Sequence, residues 1–316
     1  MATILVTGGC GRIGEKVCSG LLKKGNTVIA VDKEPTEYNA DKENYIFRAA
    51  APNEQGKYGD IFDEFDEIDY VVHLACSADN DFGSIIEKEQ IAMSAACDKF
   101  LYKFAIGKNV KKFMLLSTTQ IYKQPENREP VREDDPEKPI TNYAKLKYAA
   151  EQAFAQDVRG QKNMVCCIMR VPLVYSLDFY DNLVSRITDP NDKTLFIFRT
   201  GEYGFHLCCI HNISDFIIGF LRQADTTNFT GIYNVADSGL VMASEIISFM
   251  KENHRLGPVL QRSNLSVTLK AKLFGDPEEK RNNRYLDLFT IDKSFMYDTT
   301  KAQRLCPFRW NIKNTK

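Results

Sequence analysis

Long apolar runs are missing from this sequence: none approaches the roughly 20 residues that a membrane-spanning helix needs. Net charge is nearly missing too, at −1 from 41 basic and 42 acidic residues. There is no basic stripe and no amphipathic anchor, so neither nucleic acid nor a membrane surface is an expected partner. The first residues, Met1-Ala2-Thr3-Ile4-Leu5-Val6, carry no basic leader and no cleavage-site pattern, which reads as no signal peptide. The 9 cysteines lack any C-x-x-C or Cys/His spacing, and the four histidines (73, 206, 211 and 254) are dispersed, so no metal site is expected. Cys166-Cys167 and Cys208-Cys209 sit inside apolar runs, where neighbouring side chains point to opposite faces. They read as buried free thiols in a reducing compartment, hence a cytoplasmic protein. With 18 Gly, 11 Pro and 44% hydrophobic residues, a collagen-like fibre and a disordered chain are both excluded. Internal repeats and low-complexity tracts are absent as well.

What is present is a chain of 316 residues, enough for one large domain or two unequal lobes. Its first half alternates short β-branched runs with helix-like segments. Residues 3–7, 27–31, 69–75, 113–117 and 164–170 read as strands; 12–24, 84–106 and 142–156 read as helices. That alternation predicts an α/β fold, a doubly wound parallel sheet with right-handed crossovers. After Arg170 the pattern loosens, with helices expected near 213–222 and 242–252 and a strand at 231–235. The expected division is a dinucleotide-binding domain over 1–170 plus about 205–237, and a smaller C-terminal substrate lobe from 171–204 and 238–316.

Residues 7–14, Thr-Gly-Gly-Cys-Gly-Arg-Ile-Gly, lie between the first strand and the first helix. In that context Gly8 or Gly9 permits a tight turn, Gly11 lets backbone approach a pyrophosphate, and Gly14 lets helix and strand pack closely. Asp32 ends the second strand, where a carboxylate accepts hydrogen bonds from an adenosine ribose and repels a 2′-phosphate. This favours NAD over NADP, a preference that Arg12 and Lys33 would soften. A glycine-rich turn with no ligand is the alternative, and the strand, helix and distal Asp weigh against it.

Tyr143 and Lys147 stand four apart in a predicted helix, on one face. A phenol has a reference pKa near 10, and a neighbouring ammonium favours its charged form, so the pair can act as a general acid/base. Thr118 ends the strand at 113–117, at the sheet edge where ligands of open α/β folds bind. Alone, a Tyr and Lys at this spacing is usually a solvated helix face; the preceding dinucleotide turn reverses those odds.

Across residues 4 to about 310 the chain resembles the extended short-chain dehydrogenase/reductases, of the NAD-dependent epimerase/dehydratase type. The matching pieces are TGGCGRIG at 7–14, VVHLA at 71–75, LLSTTQIY at 115–122, REDDPEKPITNYAKLKYAAE at 132–151, MRVPLVY at 169–175, IHNISDF at 210–216, GIYNVAD at 231–237 and DTTKAQ at 298–303. The resemblance implies a Rossmann-like fold with NAD as cofactor. It implies catalytic roles for Thr118, Tyr143 and Lys147, and cofactor contacts from Gly8, Gly11, Arg12, Ile13, Gly14, Asp32, Leu74, Ala75, Tyr143 and Lys147. The implied reaction is Tyr-assisted hydride transfer at a secondary alcohol of a small-molecule substrate, a sugar or sugar nucleotide leading. A dehydrogenase of a uronate, sterol or other small alcohol, or a non-catalytic NAD-binding module, stand as alternatives.

The sequence also departs from that family. Dehydratases carry an Asp-Glu pair after the catalytic Thr, and Thr119 and Gln120 stand there instead. The active-site Asn of the long helix falls at Ser94, and positions that often meet a sugar nucleotide fall at Leu173 and Ser176. Relatives often dimerise through helices corresponding to 84–106 and 142–156. Ala95, Ala96, Ala149, Ala150, Phe100, Phe104 and Tyr148 suit a homodimer face or, equally, packing on their own sheet. Substrate contacts are expected from loops at 77–84, 124–139 and 176–203.

Overall fold

Short Val/Ile/Leu runs bounded by glycine or charge favour strands covered on both faces. The computed structural model of the chain describes residues 1–76, 88–123, 129–158, 161, 163–189, 194–198, 200–225, 229–262, 294 and 296–316. Within it, six such runs form β1 (Thr3–Thr7), β2 (Thr27–Asp32), β3 (Tyr45–Ala49), β4 (Tyr70–His73), β5 (Lys112–Thr118) and β6 (Val165–Val171). Three short pairs follow: β7 (Val174–Tyr175) with β10 (Cys208–Cys209), β8 (Phe196–Phe198) with β13 (Leu260–Arg262), and β9 (Gly204–Phe205) with β12 (Val241–Met242). β11 (Gly231–Asn234) joins the large sheet, whose seven strands run in the order β3-β2-β1-β4-β5-β6-β11. All its pairings are parallel. The order reverses between β1 and β4, the doubly wound arrangement that opens a crevice at the carboxyl ends of those strands.

Helices cover both faces. α1 (Arg12–Leu22) buries Val17, Cys18 and Leu21 and packs on α6 (Ile210–Leu221) over one face. α2 (Gln55–Glu64), α3 (Lys88–Gly107) and α4 (Asn142–Val158) cover the other. The two layers are separated residue by residue along β6: Cys167 and Met169 enter the first core, Cys166 and Ile168 the second. Lys112 at the start of β5 is fully buried; its ammonium donates to the Leu221 carbonyl at 2.8 Å and pairs with Asp225 at 2.7 Å, satisfying the C-terminal end of α6.

A third core gathers Tyr175, Leu183, Phe196, Tyr203, Val241, Ile246 and Met250, built from α5 (Asp181–Ser185), α7 (Ala243–Asn253) and the short strand pairs. The chain then returns: α8 (Thr300–Gln303) and Phe308 pack on the first core. Among the described residues no helix is long and apolar enough to cross a membrane.

The sequence reading did not place β3 or α2. Gly56 and Gly59 weaken the helical propensity of 55–64, yet Tyr58, Ile61 and Phe62 do form a buried i, i+3, i+4 stripe. The long helix is described from Lys88; residues 84–87 lie outside the described set. Among the residues considered for a dimer face, Phe100 and Ala150 are buried, and Phe104 stacks on Phe62 with ring centroids 5.6 Å apart, so these three serve the chain's own core. Ala96 is exposed and Ala95, Tyr148 and Ala149 are half-buried.

Candidate active site

The glycine turn is shaped by two close approaches. Gly8 has φ +67°, and a Cβ there would sit 2.9 Å from the Ala75 nitrogen, so the end of β4 presses against the turn. A Cβ on Gly14 would fall 2.0 Å from the Gly8 carbonyl oxygen, so α1 starts directly on the turn. Gly11, the N-cap of α1, would bring a Cβ no nearer than 3.4 Å to anything and has no side chain to cap the helix. α1 therefore begins without a side-chain cap and with room beside Gly11, an arrangement that suits the pyrophosphate of a dinucleotide. Asp32 accepts from the Cys10 N–H at 3.1 Å and the Lys33 N–H at 2.8 Å, which locks its carboxylate at the end of β2, beside the turn.

Other expected cofactor residues fall around this turn. Ile13 packs on the first core, Leu74 is buried and Ala75 is half-buried at the end of β4. Arg12 turns toward the third core: its guanidinium lies 4.3 Å from the Phe179 ring centroid and 3.8 Å from the Asp181 carboxylate.

Beneath the turn lies a buried chain of hydrogen bonds that sequence reasoning missed. Thr7 Oγ1 is 2.6 Å from His73 Nδ1, His73 Nε2 is 3.0 Å from Asp98, and Thr7 Oγ1 accepts the Ala75 N–H at 3.3 Å. With Asp98 as acceptor, Nε2 carries the ring proton, so the Thr7 hydroxyl donates to Nδ1. The histidine inside VVHLA was the available signal, but its partners are 25 and 66 residues away.

Tyr143 and Lys147 occupy the first turns of α4. Thr141 caps this helix, its hydroxyl accepting the Ala144 N–H at 3.1 Å while donating to the Gln120 side-chain carbonyl at 3.1 Å. Gln120 belongs to the single 3-10 turn that follows β5, and the backbone of Gln120 donates to Thr118 Oγ1 at 3.3 Å. Thr118 and Tyr143 are thus each two residues from one bonded pair. Lys147 is 3% exposed, and its ammonium donates to the Leu116 carbonyl of β5 at 3.0 Å, 5.9 Å from the Tyr143 ring centroid. Burial pushes the Tyr143 phenol above its ordinary pKa, and the Lys147 ammonium pulls it part of the way back. Burial works against the charge on Lys147, but Cys76, Tyr143, Asp98 and Glu151 outweigh it and hold the ammonium above its usual range. Lys147 therefore stays protonated beside the phenol, the state a general acid/base tyrosine requires.

Deeper still, Arg170 of β6 is fully buried and binds Glu151 of α4 through two bonds at 3.1 and 2.7 Å; it also pairs with Glu137 and lies over the Tyr122 ring at 4.7 Å. This ties α4 to the sheet behind the face that carries Tyr143 and Lys147. Ser94 is buried on α3, and Leu173 is half-buried against the third core. The Thr119 hydroxyl bonds the Tyr297 phenol and Gln120 is held by Thr141; neither a threonine nor a glutamine side chain is ionisable. Residues 77–84 and 124–128 lie outside the described set.

A family model described as "NAD dependent epimerase/dehydratase family" matches residues 4–236. The chain belongs to that family. It is an NAD-dependent enzyme with a Rossmann fold. A dTDP-D-glucose 4,6-dehydratase of Bos taurus is 25% identical over 273 residues, covering 79% of this chain and 74% of that protein. A UDP-glucose 4-epimerase of Halalkalibacterium halodurans is 29% identical over 153 residues, 48% of this chain and 45% of its own length. Among solved structures, the UDP-Glc/GlcNAc 4-epimerase of Campylobacter jejuni aligns with TM-score 0.75 at 18% identity, covering 98% of this chain and 94% of that one. The UDP-glucose 4-epimerase of Bifidobacterium longum, in complex with NAD+ and UDP, aligns with TM-score 0.73 at 16% identity over 99% of this chain and 96% of that chain.

Proposed function

We propose that this member of the family epimerises a secondary alcohol of a sugar nucleotide. The observation that supports this reading is the bonded Gln120–Thr141 pair, two residues from Thr118 on one side and from Tyr143 on the other, together with the Lys147 bond to the strand that Thr118 ends. The glycine turn with its uncapped helix, Asp32, Leu74 and Ala75 would hold the dinucleotide, and Lys147 would hold its ribose hydroxyls. NAD, when bound, supplies the acceptor and donor of hydride. Tyr143 takes the proton of the substrate hydroxyl and returns it, Thr118 fixes the reacting oxygen, and the Lys147 ammonium keeps the phenolate low enough in energy to form. The Asp32 carboxylate disfavours a 2′-phosphate and so NADP.

Elimination of water needs an acid and a base beyond the tyrosine, and Thr119 and Gln120, occupied by Tyr297 and Thr141, offer neither. The named relatives act on dTDP- and UDP-linked sugars, which supports a nucleotide-linked substrate. Incubation with UDP- and dTDP-sugars separates the outcomes: an isomer of unchanged mass is expected by mass spectrometry and NMR, and a product lighter by one water would overturn epimerisation. We further propose a homodimer through α3 and α4, on whose surface Met93 is 67% exposed beside Ala96. The nine unpaired thiols fit a reducing cytoplasm. A monomeric mass by sedimentation at micromolar concentration would remove the dimer.

A further inference from the structure

The glycine turn and the third core meet through one side chain. Arg12, the first residue of α1, leaves the turn directly after Gly11 and reaches across to Phe179 and Asp181. The receiving side is built in advance. The 176–179 turn is closed twice, by the Ser176 N–H to the Phe179 carbonyl at 2.8 Å and by the Phe179 N–H to Ser176 Oγ at 3.1 Å. α5 is anchored where Asp181 begins it, through Asn182 Nδ2 donating to the Val174 carbonyl at 2.7 Å. Phe179 and Asp181 are therefore presented on a fixed frame, and the flexible partner is the arginine. Guanidinium over an aromatic face with a carboxylate at its edge is a geometry that Lys cannot reproduce.

We propose that Arg12, Phe179 and Asp181 form a clasp across the mouth of the dinucleotide groove that slows release of the cofactor. The inference rests on the NAD reading of the turn. A dinucleotide with its pyrophosphate on the α1 N-terminus would lie beside Arg12, the first residue of that helix, and its release would then require the clasp to part. Both charged groups are about 60% exposed, so the bond is weak enough to open on each exchange and is sensitive to salt. Its effect falls on the off-rate, which decides whether the enzyme keeps one cofactor through many turnovers or exchanges it each time.

The test uses the full-length protein and NADH. Fluorescence of bound NADH is followed in a stopped flow after a chase with excess NAD, for wild type, Asp181→Asn, Phe179→Leu and the double variant. The expected off-rates rise about threefold in each single variant and about tenfold in the double, as an exposed ion pair and a cation–π contact allow. Raising salt from about 50 mM to about 500 mM speeds release from wild type by a larger factor than from Asp181→Asn, the difference being the screening of the Arg12–Asp181 contact. Asp181→Glu restores the wild-type rate. Variants that bind NADH and release it within twofold of the wild-type rate, at both salts, overturn the clasp while leaving the NAD reading intact. A wild-type protein that binds no NADH overturns both.

Discussion

Lys147 and Leu116 join a helix to a strand: the buried ammonium donates to the backbone carbonyl at 3.0 Å, two residues before Thr118. Because that bond fixes the ammonium on the strand, its field on Tyr143 does not depend on a flexible side chain. Replacement by methionine keeps the apolar stem and removes the charge. Burial and the neighbouring Cys76 then act unopposed on the phenol, whose pKa rises further. The rate climbs with pH as the phenol ionises, so in Lys147→Met the limb of the kcat profile that marks that ionisation moves to higher pH. An unmoved limb would show that Lys147 does not tune Tyr143.

Tyr143→Phe removes the hydroxyl proposed to carry the proton and little else. General acid/base groups contribute about 10²–10⁴-fold in rate. The variant is expected to lose that much in kcat on whichever sugar nucleotide the wild type turns over, while calorimetry finds NAD affinity within about threefold of wild type. Retained turnover would remove Tyr143 from the reaction.

Two alanines separate turn shape from ligand approach. Gly14→Ala forces a Cβ to 2.0 Å from the Gly8 carbonyl, so the turn or the helix must move, and both melting temperature and NAD binding are expected to fall. Gly11→Ala meets nothing closer than 3.4 Å and is expected to melt within a few degrees of wild type, yet to bind NAD at least about tenfold more weakly. Equal NAD affinity in Gly11→Ala and wild type would place the dinucleotide elsewhere.

Arg170 and Glu151 are both nearly inaccessible, so cutting one partner leaves an uncompensated buried charge. Glu151→Ala is expected to lose about 3–5 kcal/mol in urea unfolding, whereas joint replacement by Met and Leu costs much less. A small loss in Glu151→Ala would mean that Glu137 alone satisfies the arginine.

Asp237 is 1% exposed and accepts from the Tyr175 hydroxyl at 2.6 Å, the Cys209 N–H at 2.7 Å and Asn212 Nδ2 at 2.8 Å. Burial outweighs these donors and pushes its carboxyl up to about 6 from 3.8. The folded protein thus holds this proton more tightly than the unfolded chain. The resulting stability is fully present below about pH 4 and is lost as pH rises through 6. Relative to Asp237→Asn, the wild type should gain about 2 kcal/mol between pH 7 and pH 4. Parallel pH profiles for the two proteins would contradict this.

The parts legible in the sequence are those made by neighbours along the chain. The glycine turn spans eight residues and the Tyr143–Lys147 pair one helical turn, so local spacing exposed both. Alternation of side chains also placed Cys166 and Cys167 on opposite faces, where they are found. The Thr7–His73–Asp98 chain was invisible because β1, β4 and α3 bring together residues that no periodicity links. The aromatic faces of Phe100 and Phe104 could not be assigned, since an apolar stripe has the same spacing whether it meets a partner or its own α2. The reach of Arg12 to Asp181 was not legible either, because it depends on how a separate core sits.

The thiol pairs at 166–167 and 208–209 give the molecule a built-in reporter of its own breathing. Cys167 and Cys208 are sealed in the first layer, Cys166 in the second and Cys209 in the third core, while Cys10, Cys76, Cys97 and Cys306 reach solvent in part. A slow alkylating reagent followed by peptide mapping would therefore time the opening of each compartment separately, without introducing a single foreign probe.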